Sequence, residues 1–153
     1  MAIARGAGTE ILRSIHARDI DTQAAGQTLI RGVQHHIYTV LSIIFCPITW
    51  QASGNYVRVW IDGYDAKAGA TDQQFYIFQQ DIDNLQTYVW NDKFSFNGYE
   101  PTDFTLSDML ITEAMQDAIA DQGSGVPQYL KITTENASDQ GDVTCSYIDQ
   151  NNA

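Results

Sequence analysis

The feature that most constrains this chain is the run His35-His36-Ile37-Tyr38-Thr39-Val40-Leu41-Ser42-Ile43-Ile44-Phe45-Cys46, β-branched and aromatic almost throughout and without a helix cap. It is apolar on both faces, which predicts a central strand covered on each side. Pro47 is expected to end it, because proline donates nothing to a ladder. Next, Tyr56 to Asp62 places Val57, Val59 and Ile61 on one face in alternation. The polar link Gln51-Ala52-Ser53-Gly54-Asn55 has hairpin length and predicts that these two strands pair.

Further short strands are expected over residues 74–79, 86–90 and 93–96, with a turn at Asp81-Ile82-Asp83-Asn84. A second hairpin is expected from Gln128–Thr134 and Asp142–Asp149, the latter alternating Val143, Cys145 and Tyr147 against Thr144, Ser146 and Ile148. No βα alternation of the kind a parallel sheet needs is present. The fold class is therefore all-β: an antiparallel β-sandwich, jelly-roll-like.

Two segments fit that pattern less well. Residues 108–121 carry Met109, Met115, Ala118 and Ile119 in a loose helical stripe, with Ser107 as N-cap and Gly123 beyond, and predict a short helical excursion. Residues 1–30 are small and polar and suit an extended N-terminal arm. The domain division is then an arm over 1–30 and a sandwich over 31–153, a size at which a single domain buries roughly 70% of its unfolded surface.

Charge is unevenly spread along the chain. Residues 1–61 balance at +2 and residues 62–153 at −13, giving the net −11. Such an acidic body offers a nucleic acid little counterion release. The longest apolar stretch, Ile37 to Ile48, is shorter than the ~20 residues of a membrane helix. The start lacks the apolar core of a signal peptide, so synthesis in the cytoplasm is expected. There, Cys46 and Cys145 are expected to be two buried free thiols, not a bridge.

Reactive groups are few. His35 and His36, as neighbours on a strand, point to opposite faces and do not share a metal, so one is expected inside and one outside. Asp81, Asp83 and Asp92 fall at positions 1, 3 and 12 of a calcium-type loop, but Leu85 and Gln86 occupy positions that need a ligand and a glycine. They are expected to be solvated turn acids. No nucleophile elbow, phosphate loop or Cys–His signature is present, and the expectation is a protein that is not an enzyme and needs no cofactor or metal. The aromatic load is more informative: Trp50, Tyr56, Trp60 and Trp90 are candidates for an oligomer or partner interface.

The runs Tyr38 to Ile43 and Val57 to Ile61, the segment Gln86 to Phe94 with Thr87 and Lys93 six apart, and the closing run Asp142 to Ile148 resemble small β-sandwich virion proteins of tailed bacteriophages. The resemblance covers residues 35–149, with Asn97 to Pro127 as an insertion where that family has a tight glycine turn. It implies a virion structural protein, in first place a capsid decoration or cement protein that binds the outside of the major-capsid-protein shell and stabilises it. The alternatives are a neck or tail accessory protein, or a receptor- or carbohydrate-binding sandwich. Partners would be the major capsid protein or other virion proteins, with self-association into a homo-oligomer such as a trimer. Localisation would be the virion. In that setting Arg5, Arg13 and Arg18 of the arm are the expected shell-binding residues.

Overall fold

A computed structural model describes residues 9–22, 25–102, 112–114, 117 and 125–151. The expected excursion over 108–121 falls mostly outside these residues, although Glu113, Ala114 and Asp117 are helical. Among the described residues there are eleven strands: β1 (Thr9–Ile20), β2 (Gln27–Arg31), β3 (His36–Thr49), β4 (Asn55–Asp65), β5 (Ala70–Ile82), β6 (Tyr88–Trp90), β7 (Phe94–Asn97), β8 (Tyr99–Glu100), β9 (Val126–Pro127), β10 (Tyr129–Thr134) and β11 (Gln140–Asn151). The fold is all-β, with antiparallel sheets in a sandwich.

One sheet, called A here, runs β1-β11-β3-β6, with β7 pairing β3 beside β6; the other, B, runs β2-β10-β4-β5. The pairings are nested along the chain: β1 with β11, β2 with β10, β3 with β6 and β7, and β4 with β5. The outer pairs then wrap so that β11 also bonds to β3 and β10 to β4.

Between the sheets lies one core. Val40, Ile43, Phe45, Val143 and Cys145 enter it from sheet A, and Leu29, Ile30, Val57, Val59, Leu130 and Ile132 from sheet B. β11 shows the strand period at its clearest, burying Gly141, Val143, Cys145, Tyr147 and Asp149 while the residues between them are part-exposed. Gly141 has no room for a side chain, because a Cβ there would meet the Phe45 ring at 2.4 Å.

Several expectations need correction. The strand beginning at His36 does not stop at Pro47 but runs on to Thr49. Pro47 faces Gly141 at a register shift, where β6, confined to Ile43–Phe45, no longer flanks it, so the missing donor is tolerated. The two expected hairpins do not exist. β3 lies in sheet A and β4 in sheet B, and β10 and β11 are likewise split, so both links cross from sheet to sheet.

The two crossings are tied together by Asp139, which is fully buried. Its carboxylate accepts from the Gln51 backbone N–H at 2.7 Å and from Asn55 Nδ2 at 2.7 Å, so the 135–139 link holds both ends of the 51–55 link. Such a charge-assisted pair of bonds replaces the tight turn that neither link makes.

Residues 9–31 are not an arm. β1 pairs with β11 from Thr9 to Ile20, and β2 pairs with β10, so the leading segment supplies one strand to each sheet. Ile11, Ile15 and Ala17 lie at alternate positions and turn toward the interior while their neighbours are exposed. Residues 1–8 are outside the described residues.

Two outcomes follow from this architecture. Deleting residues 1–20 strips β11 of its ladder partner, and the truncated chain is expected to lose cooperative thermal unfolding by circular dichroism instead of leaving an intact body. Asp139→Ala takes the acceptor from the Gln51 N–H and the Asn55 amide, unties the two links, and is expected to lower stability by about 1–3 kcal/mol in urea titration.

Candidate interaction surface

The expected interface aromatics divide by burial. Trp50 is buried, with Nε1 donating to the Ile82 carbonyl at 2.8 Å and its ring edge-on to Phe45. Trp60 is buried too, although it belongs to the outer side of sheet B: the chain at Gly26 crosses directly over its ring, and Nε1 donates to Asp62 at 3.1 Å. Neither presents a surface to a partner, and both are removed from the set of interface residues. Trp90 is half-buried and stacks on Phe78 at 4.9 Å, with its indole N–H buried and unmatched. Tyr56 stays on the outer face of sheet B. The Arg58 guanidinium lies 4.6 Å from the Tyr56 ring and 4.6 Å from that of Tyr76, and it donates to Gln79 Oε1.

Of the three arginines of the leading segment, the structure places two. Arg5 lies outside the described residues. Arg13 pairs at 3.3 Å with Asp149, a buried carboxylate that also takes the His36 Nδ1 contact at 2.6 Å. Arg18 borders a shallow cleft with Asp19, Ile48 and Asp142. Its charge is set among acids at the corner of sheet A. His36 is thus the inward histidine, while His35 occupies a left-handed turn position ahead of β3.

The outer face of sheet A is the surface that sequence reasoning missed. The run of β3 predicts cover on both sides, yet Ile44 is 37% exposed and Ile48 57%. Register places Ile44 between Thr144 of β11 and Val89 of β6, the latter 49% exposed. His16 joins the same row through its 3.1 Å contact with Thr144. The neighbouring rows are Ser14, Ser146 and Ser42, then Leu12, Ile148, Thr39 and Ser95. These three rows hold no carboxylate, on a chain of net charge −11. Aliphatic groups spaced among short hydroxyls on a flat sheet can be desolvated at small cost, because each hydroxyl can find a partner and no charge need be buried. The signal is present in the apolar outer positions of β3, which face solvent instead of a second covering layer.

Other chemistry is sparse. Among the described residues no group of three or more His, Cys, Asp and Glu side chains converges as a metal site. Asp83 accepts from the Ser53 hydroxyl and its N–H donates to Gln86, so it is part of a turn. No described helix is long and apolar enough to cross a membrane. Comparison with protein-family models, curated proteins and solved structures finds no match to this chain.

Cys46 and Cys145 are both free, but only Cys145 is fully buried. Cys46 pairs with Asp142 and Cys145 with Ile43, which puts the two thiols at different levels and on opposite faces of sheet A. Burial pushes the Cys145 thiol up to about 12 from 9.0. Burial, with Asp149 nearby, pushes Tyr38 up to about 12 from 10.0.

Both groups keep their protons when folded at a pH where the unfolded chain releases them. Stability is therefore expected to fall as pH rises from 9 toward 12, more gently in Cys145→Ala and Tyr38→Phe, measured by denaturant titration. At neutral pH a thiol reagent is expected to label Cys46 in the native protein and Cys145 only after unfolding.

Proposed function

We propose that this chain is a structural protein of a tailed-phage virion, a capsid decoration protein that lies on the outside of the major-capsid shell through the outer face of sheet A. Its fold is assigned as a jelly roll. The nested pairings, with first strand on last and second on next to last, support that assignment, because a long hairpin rolled into two facing sheets produces this order. The observation that carries the functional reading is the carboxylate-free band around Ile44, Ile148 and Val89 on an otherwise acidic chain. A decoration protein needs a stiff slab with one side adhesive and the remainder soluble. Many weak contacts of this kind, repeated over a lattice, hold through effective concentration.

Fractionating virions into heads and tails, with the chain traced by antibody, tests the location, and rebinding to heads stripped of it tests the surface. Migration with heads is expected. Val89→Asp should weaken head binding by at least about 10-fold, with circular dichroism unchanged. Migration with tails, or with neither fraction, rejects decoration.

A second reading, a carbohydrate-binding sandwich, is favoured by the Tyr56–Arg58–Tyr76 stack beside Gln79 on sheet B. Aromatic faces next to amide and guanidinium donors suit a sugar ring. Selective glycan-array binding that is lost in Tyr76→Ala would support this reading over the first.

A further inference from the structure

We propose that two copies of this chain join through β1, antiparallel and edge to edge about a two-fold axis at Ser14, so that sheet A continues from one protomer into the next. β1 ends the strand order of sheet A, and among the described residues no strand pairs with its outer edge. A twelve-residue edge strand of this kind presents backbone donors and acceptors that another strand can match.

Symmetry and the strand period then narrow the register. A two-fold axis perpendicular to the sheet keeps outer faces on the outside, so residues exposed on one β1 must oppose residues exposed on the other. On the outer face these are Glu10, Leu12, Ser14, His16 and Arg18; Arg13, also exposed, lies at an inward position and pairs with Asp149. Of the registers that obey this condition, only the one centred on Ser14 sets Glu10 opposite Arg18 of the second copy, and symmetry makes that ion pair twice. It also lays Leu12, 70% exposed, against the His16 ring of the second copy, again twice. The regular pairing of β1 with β11 runs from Thr9 to Ala17 and Asp19 takes a positive φ of 54°, so Glu10 and Arg18 are the outer-face residues nearest the two ends of that ladder.

Charge complementarity thus selects a second copy of this chain as the occupant of the edge. The pairing holds whether or not the protein coats a shell. It also specifies a dimer contact, where a trimer would need a different surface.

The test is a charge exchange read by light scattering and sedimentation on the purified full chain, with circular dichroism confirming that each variant is folded. Wild type is expected to be a dimer that loosens as salt is raised. Glu10→Arg alone, or Arg18→Glu alone, turns both attractive pairs repulsive and should weaken the dimer about 30-fold. Mixing the two single variants should restore dimers. In the mixed dimer one of the two contacts joins the substituted positions of both chains with the charges exchanged, and the other keeps the native Glu10–Arg18 pair. The double variant E10R/R18E should dimerise by itself. Wild type that is monomeric or trimeric, single variants that dimerise as tightly as wild type, or a mixture that stays monomeric would overturn the pairing.

Discussion

The structure depends on one strand being shared. β11 bonds to β1 on one side and to β3 on the other along almost its whole length, and every second residue of it enters the core. Because the side-chain period of a strand is two, a slip of one residue on either side would expose Val143, Cys145 and Tyr147 together. The register shifts at Gln140/Gly141 and Ser146/Tyr147 leave that alternation intact. The strand that completes sheet A is therefore the last of the eleven in chain order, and the first strand has no ladder until it arrives.

This long-range closure explains what is legible in the sequence and what is not. β3, β4 and β11 are visible because β-branched residues and alternation are local properties. Their partners are not. A five-residue link such as Gln51 to Asn55 suits a hairpin in length alone, and only the pull of Asp139 on Gln51 and Asn55, from 84 to 88 positions away, shows that it crosses between sheets. β1 is hidden by its position. An edge strand with one face in solvent carries only Ile11, Ile15, Ala17 and, past the register shift, Ile20 as its inward signal, a pattern easily mistaken for a polar arm.

The surface is legible in residue type and not in placement. The outer positions of β3 carry more apolar residues than a solvent-facing strand needs, and sequence alone assigns that excess to a second layer. Trp60 misleads the other way: its outward position on β4 is closed over by the chain at Gly26, so a large aromatic on an outer face becomes interior. In both cases the deciding contact comes from a segment remote in sequence, and composition has no means of announcing it. Polar placement follows the same rule. Arg13 reads as a shell-binding cation in the sequence, but the fold pairs it with Asp149, which also contacts His36.

The short clasp between β8 and β9 has a consequence for how the chain can change length. Tyr99 sits across from Pro127 and Glu100 across from Val126, while the backbone of Gly98 bonds to both His36 and Gln128. Residue 100 and residue 126 are thus neighbours, each strand fastened to the sandwich by its own backbone bonds. Loop closure grows only logarithmically more costly with length. With both ends held by backbone bonds of their own, doubling the number of residues between them would add only about 0.6 kcal/mol to the cost of closing the chain.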